Sequence, residues 1–160
     1  MKFFYLLSAL FLFGCTAQNK SFQTLEYEAT ACFGFCPIFE MTINPDRTAV
    51  IKAERFTFSN PQSKDYDPNA APEGTFKTTL SEESFKAVQL ALAKLDLNSI
   101  DEHYGNRQVT DLPTAKVKIE LSPGQTAQWD DYGKNGTPEL RDFYKTLEEL
   151  RFSENWVKID

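Results

Sequence analysis

Histidine is nearly absent from this 160-residue chain, and long hydrophobic runs, glycine-rich loops and positive charge are also scarce. The single His103 excludes a zinc centre built from several imidazoles. Ser-His-Asp catalysis would have to use that same residue, in Glu102-His103-Tyr104, and no G-x-S-x-G elbow accompanies it. A solvent-facing imidazole in a polar connection is the expectation instead. The chain has no phosphate-binding glycine loop, no dinucleotide fingerprint and no internal repeat. Its apolar run from Phe3 to Phe13, broken only by Ser8, covers eleven residues. At about 1.5 Å per residue it falls far short of a ~30 Å hydrocarbon core, so it is not a membrane-spanning helix. Basic residues number 17 against 23 acidic ones. The first fourteen residues hold one Lys and no acid, so the rest of the chain carries a net charge of −7. Such a domain is repelled by phosphate backbones and anionic headgroups, which argues against a nucleic-acid partner.

The opening MKFFYLLSALFLFGC has a basic start at Lys2 and then the short apolar run, the layout of a secretory signal peptide. Leu12-Phe13-Gly14-Cys15 resembles the bacterial lipobox, with Phe13 bulkier than the residue usual there. The resemblance implies cleavage before Cys15 and attachment of acyl chains, palmitate among them, to that cysteine. Two or more chains give stable anchoring where one does not. The expected organisation is a signal peptide over 1–14, a lipidated N-terminus and polar tether over 15–23, and a single α+β domain over 24–160. Extended, the tether reaches roughly 25 Å from the bilayer. Thr16 rather than Asp follows Cys15, so nothing resembles an inner-membrane retention signal. The expected location is the outer membrane, facing the periplasm.

Within the domain, Leu25, Tyr27, Ala29 and Ala31 alternate with polar residues, as a strand does on its way into Cys32. Alternation resumes at Phe39, Met41 and Ile43, turns at Asn44-Pro45-Asp46-Arg47, and returns through Ala49, Ile51 and Ala53. Ile38 to Phe58 therefore reads as a hairpin. Ser59 to Gly74 is rich in Pro, Asn, Ser and Asp and reads as a long loop. After alternation at Phe76, Thr78 and Leu80, Ser81 caps a helix with Phe85, Val88, Leu92 and Leu95 on one stripe. A second hairpin runs from Ala115 to Leu121, turns at Ser122-Pro123-Gly124-Gln125 and returns over Thr126 to Tyr132. Thr137 then caps a helix with Pro138 in its first position and Leu140, Phe143, Tyr144, Leu147 and Leu150 on one face. The order strands, helix, hairpin, helix predicts an antiparallel sheet with two helices packed on one face, an α+β domain. The 14 Phe suggest a well-filled core and an exposed aromatic patch beside it.

With Cys15 acylated, Cys32 and Cys36 remain, and in the oxidising periplasm a disulfide between them is the default expectation. Its role stays open among three readings. A structural staple would close a five-residue ring, with Gly34 supplying the flexibility and Pro37 stiffening the exit. Thiol redox chemistry would want an electropositive neighbour or a following helix, and strand alternation follows instead. C-x-x-x-C-P also resembles, by itself, the motif of copper-delivery proteins in oxidase assembly, which add a distant His. Asp130 and Asp131 could hold Ca²⁺ with loop carbonyls. Adjacent strand residues point to opposite faces, however, so a solvated edge is expected for them.

The stretch Cys32-Phe33-Gly34-Phe35-Cys36-Pro37-Ile38-Phe39, with Thr110-Asp111-Leu112-Pro113-Thr114, resembles an uncharacterised family of bacterial envelope lipoproteins. Phe39 stands where that family often has Tyr, and Arg47 falls near a turn glycine. The resemblance covers roughly Leu25 to Leu150 and implies a class rather than a chemistry. It singles out Asp111, which otherwise reads as a turn cap. The function expected is a non-enzymatic, lipid-anchored module that binds an envelope protein or component, without cofactor or metal. Asp111, Trp129, Tyr132 and the Ser59 to Gly74 loop are its candidate contacts. The alternative is a periplasmic thiol-redox or copper-handling protein that uses Cys32 and Cys36.

Overall fold

The computed structural model of the protein describes residues 21–59 and 73–160. The signal-peptide, Cys15 and most of the tether and Ser59 to Gly74 loop expectations lie outside them. Eight strands form one sheet: β1 (Thr24–Ala29), β2 (Phe39–Ile43), β3 (Thr48–Ala53), β4 (Gly74–Thr79), β5 (His103–Tyr104), β6 (Thr114–Ser122), β7 (Gln125–Tyr132) and β8 (Val157–Lys158). Two helices, α1 (Glu82–Ala93) and α2 (Pro138–Ser153), complete the α+β content. Strand order across the open sheet is β5-β7-β6-β1-β2-β3-β4-β8, and only the β5–β7 pair is parallel.

Alternation decides which face is buried. Leu25, Tyr27 and Ala29 on β1, Phe39, Met41 and Ile43 on β2, and Val117 and Ile119 on β6 share one core. The register places Tyr27 between Met41 and Val117, so large side chains stand abreast on that face. Val88, Ala91 and Leu92 from α1 enter the same core, as do the five apolar residues of α2. Among the intervening strand residues on the opposite face, Glu26, Glu28, Glu40, Lys52, Lys116 and Lys118 meet across strands as ion pairs. Lys116 lies 2.8 Å from Glu28, Lys118 3.3 Å from Glu26 and Lys52 2.9 Å from Glu40. Such exposed pairs add little stability each, and the paired side chains stay well exposed. A depression of about 460 Å³ on it is lined by Glu28, Glu40, His103, Lys116, Gln128 and Asp130, among others.

Both helix starts form as their sequences dictate. Ser81 Oγ accepts the Ser84 amide at 3.2 Å, and Thr137 Oγ accepts that of Leu140 at 3.2 Å. Ser81 also donates to Glu154 through its hydroxyl at 2.9 Å, tying the start of α1 to the end of α2. The first hairpin is shorter than its sequence pattern: β3 stops at Ala53, and Arg55 to Phe58 turn, with Phe56 at φ 61°. Thr57 drives this turn, its buried hydroxyl donating to the carbonyls of Ile38 at 2.8 Å and Glu54 at 3.0 Å. Leu95 lies beyond α1 yet is still buried. Strands β5 and β8 have two residues each, too few to show a period. Among the described residues no helix is long and apolar enough to cross a membrane.

Candidate functional site

The two elements that stood out in the sequence meet at one end of the sheet. As β1 ends, the Thr30 amide donates to the Thr114 carbonyl at 3.0 Å, and the Thr114 amide donates to Thr30 Oγ1 at 2.9 Å. This reciprocal clamp pins the chain to the start of β6, and Ala31 to Pro37 then pass beyond the sheet. Cys32 and Cys36 are joined by a disulfide with Cα atoms 5.6 Å apart. The Phe33 amide donates to the Asp111 carbonyl at 3.1 Å, which links the ring to the Thr110 to Thr114 segment.

The ring presents apolar side chains to solvent. Phe33 is 89% exposed and Phe35 62%, the largest exposures among the described large hydrophobic residues. Gly34 between them has φ 136°, and a Cβ there would meet nothing within 4 Å, so the apex stands free. Phe35 is held edge-on against Phe56, with ring centroids 5.4 Å apart, and Arg55 lies over the Phe56 ring at 5.8 Å. Leu112 and Val109 are also exposed. Two of the four non-glycine residues with left-handed φ among those described, Phe56 and Asp111, belong to this rim. Left-handed backbone costs a non-glycine residue about 1 kcal/mol or more, so surrounding contacts must hold it.

Tyr132 is one such brace. Its hydroxyl accepts the Leu112 amide at 3.2 Å, and Arg107 lies over its ring at 5.4 Å. The Gly133 amide reaches the Pro113 carbonyl at 2.8 Å. A Cβ on Gly105 would come within 2.0 Å of the Tyr132 carbonyl oxygen, so only glycine fits there. Asp111 does not act as a side-chain turn cap. Among the described residues its carboxylate accepts the neighbouring Thr110 hydroxyl, at 3.0 Å, and its backbone makes the connection to Phe33.

The other candidate residues fall elsewhere. Trp129 is buried on the core face and its indole donates to the Tyr144 hydroxyl at 2.8 Å, which takes it out of any surface. Burial, and then nearby Asp131, push the Tyr144 hydroxyl pKa well above its ordinary value. The expected solvated edge for the Asp130-Asp131 pair is corrected for one partner. Asp131 is fully buried, accepting the Asn135 amide at 3.1 Å and the Gly136 amide at 2.8 Å. Those two amides, outside any strand, hold a carboxylate where the pattern alone implied water. Asp130 points to the opposite face and takes the His103 Nδ1 and, at 2.7 Å, Arg107. The two carboxylates therefore share no ligand. Among the described residues no three His, Cys, Asp or Glu side chains converge so as to hold a metal ion.

A second polar cluster lies under α2. The Tyr27 hydroxyl donates to Glu148 at 2.5 Å, Lys134 also donates to Glu148, and Arg151 donates to the Thr57 carbonyl at 2.7 Å. Burial pushes the Glu148 pKa up, but Lys134, the Tyr27 hydroxyl and Arg151 outweigh it and hold it below its ordinary value. Arg151 sits over Phe39 at 5.1 Å, bracing the start of β2 behind the ring. Nothing in the linear pattern marked Arg151 or Thr57, because their partners lie 94 residues apart.

An open α+β sheet with cross-strand ion pairs on one face and a disulfide-braced rim at one end is the architecture of the described residues. The chain belongs to the family described as "Domain of unknown function (DUF6438)", whose model matches residues 23–151. Both the cysteine ring and the Thr110 to Thr114 segment fall inside that span. A comparison with curated proteins found no match.

Proposed function

We propose that the protein is a lipid-anchored envelope module, acylated on Cys15, whose disulfide-braced rim docks a partner. The observation that carries this reading is the pair Phe33 and Phe35, exposed on a ring cross-linked at both ends. Two exposed phenylalanines on a free apex cost solubility, and a cross-link that fixes their presentation lowers the entropy lost on docking. The sheet supports the geometry. The chain enters β1 at Thr24 and reaches the ring only after Ala29, so the rim lies roughly 20 Å along the strand from the end where the tether joins. Expected location is the outer membrane, facing the periplasm.

The test is a photo-crosslinking amino acid placed at Phe33 in growing cells, with Lys52 on the open face as the control position. A discrete adduct at Phe33, absent at Lys52 and lost when Phe35→Ser is added, is the expected result. Equal or absent adducts at both positions would reject the docking role. The competing thiol-redox reading draws on the same two cysteines, and their reduction potential separates the two.

A further inference from the structure

The polar cluster under α2 borders a depression of about 330 Å³. Four cations line it, Lys134, Arg141, Lys145 and Arg151, against two carboxylates, Glu148 and Glu149. Four minus two leaves a local charge of +2, in a chain whose formal net charge is −6. Exposed charges more than about 8 Å away are largely screened at physiological ionic strength, so the local sign governs what this depression attracts. The helical period gathers these groups. Arg141, Lys145 and Phe152 share one stripe of α2 at i, i+4 and i+11, and Lys134 comes from the turn after β7.

The inner wall is a guanidinium held still with one edge unused. The Arg151 side chain is only 9% exposed. Its Nε donates to the Glu148 carbonyl at 2.9 Å and its Nη1 to the Thr57 carbonyl at 2.7 Å. The Phe39 and Phe152 rings lie 5.1 and 4.7 Å from it. Nη2 is 4.0 Å from Glu148 Oε2, too far for a hydrogen bond, and no other described group takes it. Glu148 is already committed to the Tyr27 hydroxyl and Lys134. Burial pulls the Arg151 pKa below its ordinary value against the opposing pull of Glu148, so the carboxylate does not fully replace the water this cation has lost. On the outer wall, the Arg141 side chain makes no ion pair or hydrogen bond among the described residues. Lys145 lies 3.8 Å from Glu149, an exposed pair worth little.

We infer that this depression binds a phosphate group, as the free ion or as the phosphomonoester of a lipid headgroup. Such a group carries about −1.5 to −2 charges at pH 7, which matches the local +2 better than a single carboxylate does. Its oxygens suit the open Nη2 edge of Arg151 and the outward Arg141 and Lys145. Phe152, exposed beside them, offers an apolar contact to whatever the phosphate is attached to. The inference rests on α2 and the turn before it, not on the rim.

The test titrates the full chain in detergent, at fixed ionic strength, with inorganic phosphate and separately with a soluble short-chain phosphatidic acid. Calorimetry is expected to show saturable binding of at least one of these probes. Arg141→Gln, at an exposed position, should weaken that binding at least roughly tenfold, and Lys52→Gln on the open face should leave it unchanged. Binding of both probes assigns the site to the phosphate group itself. Binding of the lipid alone assigns it to a headgroup, and of inorganic phosphate alone to the free ion. No saturable binding, binding indifferent to Arg141→Gln, or an equal loss with Lys52→Gln would overturn the inference. Should Arg141→Gln fail to fold, Lys145→Gln takes its place with the same expected loss.

Discussion

A five-residue ring closed by Cys32 and Cys36 removes only a small part of the unfolded chain's freedom. The chain-entropy relation gives about 2 kcal/mol for the bond. Replacing both cysteines with Ser should therefore lower the unfolding free energy by about that amount, measured by urea denaturation, while the sheet persists. Strand β2 rather than a helix follows Cys36, so no helix N-terminus stabilises a thiolate there. The expected reduction potential is below about −300 mV, read by alkylation across a glutathione series. A value near −120 to −200 mV would move the pair to oxidoreductase chemistry. Glu148 carries a pH prediction. Its folded pKa lies below the ordinary 4.5, so its contribution is complete above that value and is lost as pH falls through the lower, folded one. Glu148→Gln strands Lys134 and Arg151 in a partly buried site. It should cost roughly 2 to 3 kcal/mol at pH 7 and flatten the acid limb of the stability curve.

At the scale of elements, the turn between β2 and β3 shows a local rule kept by an unexpected residue. Arg47 adopts φ 70°, the conformation that a glycine favours, after its amide closes the turn on the Asn44 carbonyl at 3.1 Å. Asp46 supports it by accepting the Thr48 amide at 2.9 Å and hydroxyl at 2.7 Å, which holds its carboxyl below the ordinary range. Arg47→Gly should raise stability by up to about 1 kcal/mol, offset in part by the freer unfolded chain, as a shift in thermal midpoint would show. The long strands and both helices were legible because each repeats a period over several residues and ends in its own cap. Strands β5 and β8 were not, since two residues carry no period and exist only because β7 and β4 offer them an edge.

At the scale of the whole molecule, the proposed anchor on Cys15 and the sheet make separate demands. Cys15→Ser should abolish metabolic labelling with palmitate and release the protein from the membrane fraction, without altering the unfolding transition of the domain. Retention of the label on the variant would place the acyl chain elsewhere. The strand alternation, the helix stripes, the caps and the acidic balance were all determined by the sequence alone, because each depends on neighbours within a turn or a pleat. The cysteine pair was visible too, since four residues of separation bring the two within bonding range. What only the tertiary structure decided involves partners far apart along the chain. Phe33 meets Asp111, Arg151 meets Thr57, Trp129 turns inward to Tyr144, and Asp131 is buried while Asp130 stays on the open face. Each depends on which strands become neighbours, and strand order is set by the packing of the whole core rather than by any stretch of residues within it.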